Sequence, residues 1–251
     1  MIKRNYYKVV RVFPDPSSYF YIKNETMSDK FLSFKQSWLN TVNLEYSFDK
    51  VNWMLKSSST GGIDVPADSY VYFRNTSGTF CTSEYTDGVI TPFFKASVGG
   101  DVRTLFNYTD VDSVTAIPDY GFCHPFSNGS SNSGRTEIID ISNLSFRGIT
   151  SIGAHGLERA FTNSYNQYTK GVDLRDVTTL GDYALFYMYS CSTLTEAYAP
   201  NVSTWDTSKA EGWLSGGSPT GVVYKPSTLD IPTNDASGIP SGWTTQDYPT
   251  L

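Results

Sequence analysis

ITSIGAHGLERAF, residues Ile149–Phe161, decides how the second half of this chain folds, because two other stretches can be laid over it. These are VTAIPDYGFCHPF (Val114–Phe126) and VTTLGDYALFYMY (Val177–Tyr189). Apolar residues hold the first, fourth, ninth and thirteenth positions of all three: Val114/Ile149/Val177, Ile117/Ile152/Leu180, Phe122/Leu157/Leu185 and Phe126/Phe161/Tyr189. A short apolar stretch follows each unit: Ile138–Ile141, Val172–Leu174 and Ala197–Ala199. The spacing between units is uneven, so the repeat is irregular. A unit of this size cannot bury its apolar side alone, and successive units are expected to stack. The apolar stretches that follow should then line up as adjacent parallel strands. Within a unit, HGLERAF and ALFYMY permit a turn or two of helix, whereas PDYGFCHPF reads as a distorted loop because of Gly121 and Pro125.

Working outward, the 251 residues suit one large domain or two modest ones. Hydrophobic content is only 39%, but 15% of the residues are aromatic, and each buried ring removes roughly 150–250 Å² from water. Charged residues make up 18%, too few for a disordered polyelectrolyte. That balance favours many short strands joined by polar turns. The net charge of -6 and the lack of a dense basic run argue against a nucleic-acid partner, which needs clustered Lys and Arg. Cys81, Cys123 and Cys191 form no CxxC pair, so they read as buried thiols and not as a zinc site. No motif for a cofactor or metal is present. The opening MIKRNYYKVVRVFPDP has no long apolar run, so neither a signal peptide nor a membrane-inserted helix is expected.

Four regions are expected. Residues 1–30 read as two strands, Tyr6–Phe13 and Tyr19–Lys23, forming an arm for attachment. Residues 31–98 carry the punctuation of a small Ig-like β-sandwich, with candidate strands Phe31–Phe34, Val42–Phe48, Trp53–Leu55, Tyr70–Arg74 and Phe93–Val98. Residues 99–215 hold the repeats, interrupted by the polar insertion Ser127–Arg135. Residues 216–251, with strand candidate Val222–Tyr224, should cap the last exposed unit. The fold class is therefore mainly β: a sandwich, a short irregular repeat solenoid of about three units, and a C-terminal cap.

Catalytic signals are weak. His124 and His155 show no triad spacing, and no GxSxG, HExxH or phosphate-binding loop occurs. His155 takes the seventh position of its unit, where the others have Tyr120 and Tyr183, and reads as a place for any ring. Asp140, Asp173 and Asp176 lie in or after the repeat strands, where carboxylates more often close turns than act as an acid/base pair. Aromatic residues offer the better binding hypothesis, since ring planes stack on flat ligands and on the apolar faces of sugars. Tyr165, Tyr168, Tyr187 and Trp205 are the candidates for glycan stacking. Trp213 reads the same way or as packing between units and cap.

The pattern I/L-G-x-x-A/G-L/F followed by an apolar strand resembles the BspA-like leucine-rich repeats of Bacteroidota surface proteins. The ending VVYKP…SGIPSGW is similar to the segment that closes many such arrays. EYSFDKVNWMLKSSSTGGIDVPADSYVYFRN resembles the module that precedes them, with its YFRG/YFRN element. The resemblance covers about residues 40–248. Related arrays occur in bacterial cell-surface adhesins and in virions of phages infecting those bacteria, including crAss-like phages. The missing export signal favours the second setting. The resemblance thus implies a non-enzymatic virion protein (fibre, appendage or decoration), homo-oligomeric and joined to other virion proteins through its arm. Host surface glycans would be its external partner, and the virion its location. A bacterial cell-surface adhesin is the alternative, and a glycan-processing enzyme comes third.

Overall fold

Alternation builds the first sheet. In β1 (Phe20–Asn24) residues 20, 22 and 24 are buried while 21 and 23 face partly outward. β1 pairs antiparallel with β6 (Tyr70–Asn75) on one side and β8 (Lys95–Asp101) on the other. The sheet continues through β3 (Leu44–Ser47) to the edge strand β4 (Met54–Leu55), and at its other end to β10 (Glu137–Ser145). A second sheet has β2 (Lys30–Phe34) between β5 (Ile63–Val65) and β7 (Ile90–Pro92). The two sheets meet where the ring of Phe34 lies 6.0 Å from that of Phe73. The computed structural model describes residues 19–34, 43–56, 61–76, 80, 90–126, 137–162, 166–190, 193–233 and 236–249.

This topology corrects two expected boundaries. Residues 20–30 belong to the sheets and not to an arm, because β1 is an internal strand with Phe20 and Ile22 fully buried. The Tyr6–Phe13 strand lies outside the described residues, as does the insertion at 127–135. The division between residues 98 and 99 falls inside β8, which pairs parallel with β10. The junction is fastened by a buried ion pair. Asp101 at the end of β8 receives Nε and Nη2 of Arg103, and Arg103 Nη1 also reaches Asp112 at 3.4 Å.

Beyond the junction the chain turns parallel. β9 (Ala116–Ile117), β11 (Ser151–Ile152) and β13 (Thr179–Leu180) form one ladder in which Ile117, Ile152 and Leu180 are direct partners. β12 (Phe161–Thr162) and β14 (Tyr189–Ser190) pair the same way. On the other flank β15 (Glu196–Tyr198), β16 (Gly221–Lys225) and β17 (Trp243–Asp247) run parallel. Gln167 N donates to Ile138 O, and Lys170 bridges Glu196, so residues 167–174 connect β10 to β15. The expected pair of parallel strands is not formed: EIIDI opens β10, but residues 171–174 are not strand, and the two stretches are linked through the bond from Gln167 N to Ile138 O. Among the described residues there is no α-helix, only three short 3-10 turns. The protein is mainly β, with several sheets and none closed.

A fourth layer, Val202–Leu214, extends the column that the sequence pattern gives as three. Leu157 N donates to Ala184 O, and Leu185 N donates likewise to Lys209 O, one layer on. In that register Val202, Trp205, Ala210 and Leu214 take the four apolar positions. The ninth-position residues Phe122, Leu157, Leu185 and Ala210 are all fully buried. Each large side chain so buried contributes about 1.5–3 kcal/mol. Cys123 is also buried, while Cys81 and Cys191 lie outside the described residues.

Candidate functional site

The connections within the layers follow one rule, and it replaces the expected helical turns. The first three layers each place a left-handed residue at the seventh and again at the eleventh position, and the fourth does so only at the eleventh. The seventh positions Tyr120, His155 and Tyr183 have φ of 57°, 56° and 55°. The eleventh positions His124, Arg159 and Tyr187 have 47°, 46° and 47°, and Gly212 in the fourth layer has 66°. A non-glycine residue held this way costs about 1–3 kcal/mol, so something must repay it. Here backbone N–H groups of these residues donate to the next layer: Tyr120 to Ala154 O, His124 to Glu158 O, His155 to Asp182 O, Arg159 to Phe186 O and Tyr187 to Glu211 O. A continuous helix would satisfy these donors within its own layer and leave the layers unjoined. Glycine at the fifth position allows the close approach. A Cβ on Gly153 would meet Asp119 N at 2.6 Å, and one on Gly181 would meet Ala154 N at 2.4 Å.

Identical backbone conformation at successive heights puts the seventh-position rings in a column. Tyr120 and His155 stack at 4.7 Å with 6° between planes, and His155 and Tyr183 at 5.1 Å with 17°. His155 is more than the tolerated ring that the sequence suggested: both faces of its imidazole touch rings, and Nδ1 meets Glu158. Glu158 also faces buried His124, whose Nε2 lies 3.7 Å away. Burial alone would raise the Glu158 carboxyl, but hydrogen bonds and attraction from His124 and His155 outweigh it and hold the group below the usual range.

Beside this column Phe186 meets Tyr183 edge-on at 5.6 Å and Tyr187 at 4.7 Å. The Arg159 guanidinium lies 5.8 Å from the Tyr187 ring. The ring of Tyr187 rests against Gly212, where a Cβ would come within 2.9 Å. Tyr183, Phe186 and Tyr187 therefore form one aromatic corner on the outside of the third layer, with Tyr183 44% exposed.

Of the three predicted stacking residues among the described ones, only Tyr187 lies at this corner. Tyr168 is buried and its hydroxyl donates to Phe161 O, which corrects its reading as a ligand platform: neither ring face is open. Trp205 is half-buried, tilted against fully buried Trp213, and donates from Nε1 to Ser237 O; it ties the segment around Ser237 to the fourth layer. Tyr165 lies outside the described residues. The carboxylates serve local structure: Asp140 accepts from Ser142 N, Asp173 pairs with Arg175, and Asp176 accepts from Gly148 N. Among the described residues no three His, Cys, Asp or Glu side chains gather as a metal site. Also among them, no helix is long and apolar enough to cross a membrane.

No family model, curated protein or solved structure matches this chain. The site is thus read from its own geometry. Tyr183 and Phe186 are the residues that sequence reasoning passed over. The signal was present, because a ring at the seventh position of all three units marks a column and not tolerance. A second aromatic group lies on the first sheet, where Tyr21 meets Tyr70 at 5.2 Å and Tyr72 at 6.2 Å. Burial, then the neighbouring Tyr70 and Asp140, pushes the Tyr21 hydroxyl up to about 12.

Proposed function

We propose that this chain is a non-enzymatic virion structural protein of a phage, a fibre, appendage or decoration component whose layered half contacts host surface glycans. The observation that carries the reading is the column itself, with rings displayed at one repeated position along its outside. The motif that resembles BspA-like leucine-rich repeats acquires a physical reason here: its glycine lets one layer approach the next, and its apolar positions fill the shared core. On this reading β1 to β8 make the sandwich that precedes the repeats, VVYKP is β16, and the SGW element opens β17. The layers from 114 to 214 are the leucine-rich-repeat stack, and the following segment caps it.

Assembly with further copies or other virion proteins belongs to the same proposal. Among the described residues β4 is an edge strand, and Phe48, Val51, Met54 and Leu55 around it are exposed, Val51 at 77%. An open edge with apolar side chains favours pairing with another chain. Mass spectrometry of purified phage particles and of bacterial outer membranes tests the reading. Stoichiometric recovery from particles supports it, whereas recovery from membranes alone would make the chain a cell-surface adhesin.

A further inference from the structure

We infer that the step between the third and fourth layers is a saccharide ledge, taking the apolar face of one uncharged hexose ring on Tyr183. This deepens the glycan-contact part of the function proposed above and rests on it. The ring column supplies the argument. Its members follow one another at 4.7 and 5.1 Å, and then the series stops. The fourth layer has Ser208 at the seventh position, within a 3-10 turn over Thr207–Lys209, and Ser208 is not left-handed. Among the described residues Tyr183 has only His155 and Phe186 as ring neighbours, so its face toward the fourth layer meets no ring.

The surroundings favour a sugar over other flat ligands. Phe186 stands perpendicular to Tyr183 and forms a wall, while Gly212 lets Tyr187 lie close and deepens the step. Polar residues adjoin both sides of the step in the chain: Asp182 precedes Tyr183 and Asp206 precedes the turn that holds Ser208, and both are exposed. Asp206 Oδ1 accepts from Ser208, while Oδ2 keeps only a 3.9 Å approach from Lys209. Carboxylate oxygens accept from sugar hydroxyls at the edge of a stacked ring. The same carboxylates, on a chain of net charge -6, oppose phosphate-bearing ligands such as nucleic acid.

The test titrates neutral oligosaccharides of glucose, mannose and galactose, at millimolar concentration, into the full chain carrying ring-labelled tyrosine. At least one should shift the Tyr183 ring signals in a saturable way. Tyr183→Asn, which tolerates the left-handed backbone, should weaken that binding about tenfold, and Tyr183→Phe should keep it within about threefold. Ser208→Tyr, which places a ring beside the open face, should also weaken it. If no sugar moves the Tyr183 signals, or if Tyr183→Asn binds like the parent chain, the inference is overturned. Particle mass spectrometry is independent of this outcome: a virion protein that binds no hexose removes the ledge and keeps the function, and a hexose-binding membrane protein does the reverse.

Discussion

Glu158 shows how much one side chain does in this column, since its carboxylate faces a histidine of its own layer and another of the layer before. Its folded-state value lies below the ordinary one, so the carboxylate adds stability above its unfolded value, and that stability is lost as pH falls through the folded value. Urea midpoints taken from neutral to acid pH should therefore fall more steeply for the parent chain than for Glu158→Gln. Parallel curves would deny the histidine contacts. Gly181 makes a steric prediction of the same scale. A methyl group there would sit 2.4 Å from Ala154 N, so Gly181→Ala should destabilise by about 1–3 kcal/mol, read from the shift in urea midpoint. This glycine was visible in the sequence as part of a motif. Its reason was not, because the atom it avoids belongs to a neighbour 27 residues earlier in the chain.

At the scale of elements, the apolar template of the repeat was legible because burial in a layered column recurs at fixed positions. The fourth layer was harder to read, since Ala210 and Trp205 hold places where its neighbours have Leu, Ile or Phe. The turns were misread as helical because apolar spacing does not encode φ, and left-handed residues such as His155 and Arg159 are held by hydrogen bonds to the next layer. Two substitutions test how elements are fastened. Arg103→Ala would leave the Asp101 carboxylate buried without its fork and should cost about 3–5 kcal/mol. Trp213→Ala would empty a fully buried site and lose the hydrogen bond to Gly238 O, with a cost of about 3–5 kcal/mol. Denaturant unfolding measures both, and a loss under 1 kcal/mol at Trp213 would mean that the segment around Gly238 is not docked as described.

For the whole molecule, the consequence of the parallel β8–β10 pairing is that sheets and column share one hydrophobic core, from Phe20 to Trp243. Truncation of residues 1–30 should therefore abolish cooperative unfolding and not release a folded body, because it removes an internal strand. Circular dichroism of the truncated chain checks this. Alternation in YFYIKN marked a strand but carried no information on its neighbours, which lie 47 and more residues away along the chain. The central claim is that the second half is a column of layers in register. Methyl–methyl NOEs in an isoleucine- and leucine-labelled sample test it most directly. Neighbouring layers stand about 4.8 Å apart, so Ile152 should give cross-peaks to both Ile117 and Leu180, while Ile117 and Leu180, about twice as far apart, give none. Absence of either Ile152 cross-peak, with both methyl signals assigned and resolved, would contradict the account.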